Sequence, residues 1–305
     1  MRAVNQPVAW WGYHWSPPEP LSIIEIIERG NMSPRLAALF WLGLERGASI
    51  MVAADPPTAG KTATLTALLA FAPRDSLAYF TRGLGETFDL PPLNGSSPTY
   101  ILVNEMTDHL AVYTWGQYAR RAFELVAQGY SLATTTHADT VAGVLDILEK
   151  DLRIPRPQIA HLTFVATIYL GYGNGRALRR INEVAFLQPD GDSGEGLRLS
   201  TIAGWDPRQD SFRVLESPEQ VAALAAWAGM TAEALLAELA RREEFLQSLQ
   251  RQGVRDLRAV QEAVFSYRHQ PEADPPPAED LSPTGHRPRP ARGRSQGRPA
   301  RRRRP

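Results

Sequence analysis

Cysteine is absent from all 305 residues. That excludes a disulfide framework and any Cys-based zinc site, and points to an intracellular setting. No run reaches the ~18 consecutive apolar residues of a spanning helix, so a spanning helix is excluded too. The opening MRAVNQPVAWWGYHW has neither the basic start nor the apolar run of a secretory signal, and none is expected. Lysine is nearly missing: the 33 basic side chains include only Lys61 and Lys150, the rest being arginine. Lys61 sits in the most informative motif of the chain.

Acidic residues also number 33, but the balance is uneven along the chain. Residues 287–305, RPRPARGRSQGRPARRRRP, carry nine arginines and no acid, leaving the remainder at a net charge of −9. An acidic body argues against nucleic-acid binding by the folded part. The tail has three readings: solvated chain, nucleic-acid contact, or anionic lipid contact at about 1 kcal/mol per arginine near a surface.

Hydropathy divides the chain into a Pro- and aromatic-rich lead-in (1–20), an α/β core (21–216), a helical segment (217–269) and a Pro/Arg-rich tail (270–305) expected to be disordered. In the core, helical spacing over 21–29 and 34–46 precedes a short apolar strand, 49–53. A helix over 62–72, strands over 76–81 and 100–105, a helix over 113–128, a strand over 131–136 and a helix over 140–151 follow. Short apolar strands alternating with helices predict a mostly parallel sheet covered on both faces. Four consecutive strands are then expected, over 163–172, 179–188, 197–202 and 211–215. Helices over 218–228, 231–251 and 254–267 close the body, the second aligning Leu239, Phe245, Leu246 and Leu249 along one face.

The sharpest local motif is Asp55–Thr62, DPPTAGKT, between an apolar strand and a helix. A phosphate-binding loop has that context: successive backbone N–H groups turn toward phosphate oxygens, a lysine neutralises them, and a hydroxyl reaches Mg²⁺. Lys61 and Thr62 fill those roles, and Gly60 allows close backbone approach. The usual first glycine is replaced by Asp55, a carboxylate near a polyanion. Downstream, YILVNE delivers Glu105 at the carboxyl end of a strand, where ligands bind in open α/β sheets. There it either orients an attacking water or is a solvated acid. SLATTTHAD runs out into His137, placed either to contact a terminal phosphate or to serve structurally. Glu86 and Asp89 in GETFDL either help hold metal and water or are loop acids.

The order of these elements resembles the secretion ATPases of type II and type IV secretion, type IV pilus, Tad and archaellum systems, over roughly residues 15–269. The lead-in helices, the stretch ELVAQGYSLATTTHADTVAGVLDIL and the closing ELARREEFLQSLQRQ helices share in it. The resemblance implies a P-loop, RecA-like α/β core with antiparallel strands and a helical segment after it. Asp55, Pro56, Pro57, Thr58, Ala59, Gly60, Lys61 and Thr62, with Ala63 opening the helix, would form Walker A and cradle ATP. Asn104-Glu105 would end Walker B, Glu86 and Asp89 would be the acidic box, and His137 the histidine box. Glu105, Glu86 and His137 are then the expected catalytic groups, with Thr62 and Asp89 on Mg²⁺. The implied partners are further copies in a hexameric ring and a membrane platform protein, with the chain peripheral on the cytoplasmic face.

The departures pull toward another reading. Asn104 stands where glycine is usual, Met106-Thr107-Asp108 replaces valine-arginine-glycine, and Tyr130 follows Gly129 where histidine is usual. Only about 20 residues precede the lead-in helices, too few for the family's N-terminal domain. The alternative is therefore a nucleotide-binding scaffold with weak or no turnover.

Overall fold

The computed structural model describes residues 1–11, 20–95, 97–173, 175–190 and 196–268. The tail discussed above lies outside them. The chain opens with β1 (Arg2–Ala3), followed by α1 (Ile23–Glu28) and α2 (Pro34–Glu45). Ser22 caps α1 in a reciprocal pair with Glu25, and Ser33 caps α2 ahead of Pro34 in the first turn. Every residue of α2 from Leu36 to Leu44 is buried, so α2 is a core helix rather than an amphipathic surface one.

β2 (Ile50–Ala53) leads through the DPPTAG turn into α3 (Lys61–Leu68). Then come β3 (Leu77–Phe80), β4 (Thr99–Leu102), α4 (Gln117–Ala127), β5 (Ser131–Thr136), α5 (Val141–Asp146) and α6 (Arg156–Ile159). A π-helical turn at Ile147–Asp151 extends α5. The four expected strands are β6 (Phe164–Gly173), β7 (Arg176–Asp190), β8 (Gly196–Asp206) and β9 (Ser211–Val214). The closing helices are α7 (Pro218–Ala228), α8 (Ala232–Arg251) and α9 (Leu257–Arg268).

All nine strands form one sheet in the order β1-β3-β4-β5-β2-β6-β7-β8-β9. Pairing is parallel from β1 to β6 and antiparallel from β6 onward. β5 intervenes between β2, which carries the phosphate loop, and β4, which leads to Glu105. This is the expected α/β class, a mostly parallel sheet followed by antiparallel strands and closing helices. The DPPTAG turn leaves the carboxyl end of β2, the edge outside which ligands bind in open α/β sheets.

Side-chain alternation feeds two cores. Ile50, Val52, Tyr100 and Leu102 pack toward α1, α2, α3, α7 and α8; Met51, Ala53, Ile101 and Val103 pack toward α4 and α5. α8 seats on α2 through Arg242, whose guanidinium lies 4.8 Å over the Trp41 ring and pairs with Glu45 and Glu238. Its buried face is Leu235, Leu239, Arg242, Leu246 and Leu249, with Phe245 only partly buried. No single helix among the described residues is long and apolar enough to cross a membrane.

Three local expectations are corrected. The start of the chain is not merely an extended lead-in: β1 joins the sheet beside β3, and Trp11 is fully buried against Phe80. The helix expected from residue 113 begins at Gln117, because Gly116 sits at φ 56° and the chain before it is occupied in a loop. The strand expected to reach Glu105 ends at Leu102, for a reason that shapes the site.

Candidate functional site

The turn after β2 folds on itself through Ala59 N–H to Pro56 carbonyl, 3.1 Å. Gly60 then takes φ 91°, a left-handed conformation open to glycine without strain, and starts α3 at Lys61. The N–H groups of Gly60, Lys61, Thr62 and Ala63 have no acceptor among the described residues. They are the orphan donors of a helix start, where the helix dipole also favours an anion. Lys61 is buried, and its ammonium donates to the Ala54 carbonyl at 3.0 Å. Burial pushes its pKa down, opposed by Glu105, Asp55 and Asp139. Asp55 is exposed, and its N–H donates to the Asp139 carboxylate at 2.9 Å.

Glu105 arrives by a bulge. Val103 N–H bonds Ala133 carbonyl at 3.0 Å, but the next bond to β5 runs from Met106, not residue 105, to Thr135 carbonyl at 2.8 Å. One extra residue on the β4 side breaks the ladder, as bulges beside functional sites do. The bulge leaves Glu105 buried with Oε1 2.7 Å from His137 Nε2, while the Thr135 hydroxyl donates to Oε2 at 3.4 Å. The other ring nitrogen, Nδ1, donates to the Asp55 carbonyl at 2.8 Å, and Lys61 Nζ is 3.3 Å from it. Glu105, His137, Lys61 and the start of the phosphate loop therefore form one cluster. Asn104 is fully buried, and neither polar atom of its side chain has a partner.

Glu86 and Asp89 are elsewhere engaged. The Glu86 carboxylate accepts the Tyr79 hydroxyl at 2.5 Å and the N–H groups of Arg82 and Phe88 at 2.6 Å. Burial and that bond to Glu86 push the Tyr79 hydroxyl's pKa up. Asp89 is exposed and accepts the Thr87 hydroxyl at 2.9 Å. Neither acid bonds to Lys61, Glu105 or His137 among the described residues. Gly83 presses this loop onto the one after β4: a Cβ there would lie 2.2 Å from the Ala111 carbonyl oxygen.

Sequence reasoning missed Arg179. Projecting from β7, its Nε donates to the Thr58 carbonyl at 3.1 Å, and its side chain passes over Gly60. It also missed Asp139, His109 and Trp10, whose indole N–H donates to the Asn104 carbonyl at 2.9 Å. A visible signal existed only for Asp139, in the THADT run that starts α5. The site fits a polyphosphate: four free N–H donors, a buried ammonium and a guanidinium surround one loop. The Thr62 hydroxyl, half-buried in the first turn of α3, fits Mg²⁺ as an oxygen ligand.

The strand order and this loop define an α/β protein with the geometry of a phosphate-binding turn between a buried strand and a helix. No family model matches the chain. It is similar to the uncharacterized protein MJ1287 of Methanocaldococcus jannaschii, 24% identical over 252 residues that cover 74% of this chain and 90% of that protein. The uncharacterized protein MJ0900 of the same organism is 26% identical over 217 residues, 63% of this chain and 38% of its own length. Among solved structures it is similar to the VirB11 ATPase of the Brucella suis type IV secretion system, with 20% identity and a TM-score of 0.37. That match covers 54% of this chain and 55% of VirB11, so the chain spans about half of that neighbour. The Legionella pneumophila ATPase DotB matches at 13% identity and a TM-score of 0.33, over 78% of this chain and 67% of DotB.

Proposed function

We propose that this chain binds and hydrolyses ATP as the motor subunit of a type II/IV secretion or type IV pilus-like assembly system. The observation that carries the reading is the cluster of Lys61, Glu105 and His137 beside four unpaired loop N–H groups. The N–H groups of Gly60–Ala63 and the Lys61 ammonium bind the terminal phosphates, and Arg179 closes over the loop from β7. Glu105, re-aimed by the bulge, orients the attacking water and takes its proton. His137 holds that carboxylate and lies beside the loop, positioned to register a terminal phosphate. Thr62 would hold Mg²⁺, with Asp89 as a second candidate ligand, and the ion would supply charge neutralisation to the phosphates.

Glu86 ties its loop together, so any catalytic role for it acts through loop position. In this reading the chain assembles with further copies of itself into a ring, the hexamer that the sequence resemblance implies. It works against a platform protein at the cytoplasmic face of the membrane, and the Arg-rich tail meets anionic lipid or nucleic acid. A second reading, a nucleotide-binding scaffold without turnover, is favoured by the engagement of Glu105 with His137 and by Asp55 at the loop start. Phosphate release from Mg²⁺-ATP separates the two. Turnover by the wild type that Glu105→Gln loses supports the motor; equal, background rates in both support the scaffold.

A further inference from the structure

The chain after the bulge, Met106-Thr107-Asp108-His109, turns back toward His137, bringing the two imidazole rings to 5.6 Å between centroids. The ligand atoms of Glu105, His109 and His137 all lie within 4.8 Å of one another. His109 and His137 border an open cleft of about 630 Å³, lined also by Thr107, Asp108, Thr136, Lys150 and Arg153. The hydrogen bonding of His137 makes this cluster more than proximity. Its Nδ1 donates to the Asp55 carbonyl at 2.8 Å, which leaves a lone pair on Nε2 in the neutral ring. That lone pair is 2.7 Å from an oxygen of Glu105, itself an acceptor. Two acceptors that close need an electron-poor centre between them, a proton or a metal ion. A ring nitrogen donating to a backbone carbonyl is also the usual outer support of a metal-bound histidine.

The geometry points to a d-block divalent cation of the zinc class, held by Glu105, His109 and His137, with its open positions facing the cleft. Two imidazoles and one carboxylate suit such an ion, whereas Mg²⁺ prefers oxygen ligands throughout. Donor atoms about 3.3 Å apart satisfy bonds of about 2.0–2.1 Å, so Glu105 and His137, now at 2.7 Å across a proton, separate slightly to admit the ion. His109, exposed on its loop, closes the remaining gap. The Lys61 ammonium, 3.3 Å from the His137 ring, works against an added cation. Glu105 and Asp108, whose carboxylate is 3.9 Å from His109 Nε2, supply the opposing charge. Because this ion would occupy Glu105, it is an off-switch for hydrolysis; that consequence rests on the proposed function, the site itself does not.

The test is calorimetric titration of the full chain with Zn²⁺ alone, without nucleotide, for wild type, His109→Ala and His161→Ala. Circular dichroism checks the fold of each, and Co²⁺ absorption serves as a spectroscopic probe. The expected result is one Zn²⁺ per chain whose affinity falls at least tenfold in His109→Ala and is unchanged in His161→Ala. The Co²⁺ band should fall with it. Titrations of wild type and His109→Ala that coincide, or no wild-type binding in the micromolar range, overturn the site. Mg²⁺-ATP turnover is followed in parallel. Zn²⁺ should inhibit the wild type and spare His109→Ala, whose basal rate is unchanged. His109-dependent Zn²⁺ binding in a chain with no turnover refutes the motor and keeps the site; turnover without such binding does the reverse.

Discussion

Removing the Arg242 side chain should weaken the attachment of α8 to α2 more than any other single truncation on that helix. Its guanidinium is buried between Glu45 of α2 and Glu238 of its own helix and lies over Trp41, which stacks on Phe71 with centroids 5.3 Å apart. Burial is the largest influence on the Glu238 pKa and pulls it up, but the hydrogen bonds and charges of Arg242 and Arg241 together outweigh it and the net shift is downward. In Arg242→Ala both carboxylates remain and their counter-charge is gone. Breaking a buried pair costs about 3–5 kcal/mol, and the lost cation–π contact adds about 0.5–2 kcal/mol. Glu45 and Glu238 retain side-chain exposures of 22% and 13%, so the lower end, about 3 kcal/mol, is the better figure. At this chain length that lowers Tm by roughly 6–12 °C. Scanning calorimetry reads it directly, and Arg242→Met/Glu238→Gln should recover part of the loss by removing one stranded charge. A Tm for Arg242→Ala within about 2 °C of wild type would refute the reasoning.

Three other outcomes follow from the same geometry. The Asp210 carboxyl is held down to about 2 by its hydrogen bond to Arg180, so its stabilisation is complete above the ordinary carboxylate range and is lost as pH falls toward that value. Asp210→Asn, which tolerates the φ of 47° there, should flatten the acid side of a Tm-against-pH curve; an unchanged curve contradicts the assignment. Arg179→Ala removes a charge-assisted bond to Thr58, and nucleotide affinity measured by calorimetry should fall roughly tenfold, given about 1.5–3 kcal/mol for such a bond. An unchanged Kd would mean that the guanidinium only braces the loop. Deleting residues 287–305 removes nine arginines, and vesicle co-sedimentation should show weaker binding to anionic lipid, most at low salt; identical sedimentation removes the tail from the membrane account.

Local chemistry made much of this legible in the sequence. Ser33 and Thr231 announce helix starts through their own neighbours, and each caps the helix that follows it. The phosphate loop is likewise local: a buried strand, a flexible glycine and a helix within a dozen residues. The alternation of apolar strands and helices anticipated the parallel part of the sheet, and the family resemblance implied the antiparallel strands after it. What stayed hidden depends on pairing across long separations. The extra residue at Asn104-Glu105 is a mismatch between two strands, and only the β5 register exposes it. Arg179 lies within the strand expected over 179–188, but its reach to Thr58 depends on where β7 stands in the sheet, and its two neighbours on the chain give no hint of the loop beneath. The resemblance implied a catalytic role for Glu86; that the Tyr79 hydroxyl across the turn bonds it could not be read from the chain. His109 acquires meaning only beside His137, 28 residues away.

The central claim is that Lys61 neutralises phosphate while Glu105 acts on water. Calorimetric ATP binding in the presence of Mg²⁺, compared for wild type, Lys61→Ala and Glu105→Gln, tests it most directly. The account predicts that Lys61→Ala abolishes binding, whereas Glu105→Gln binds ATP as tightly as wild type. Equal loss of affinity in both variants, or undiminished binding by Lys61→Ala, would contradict it.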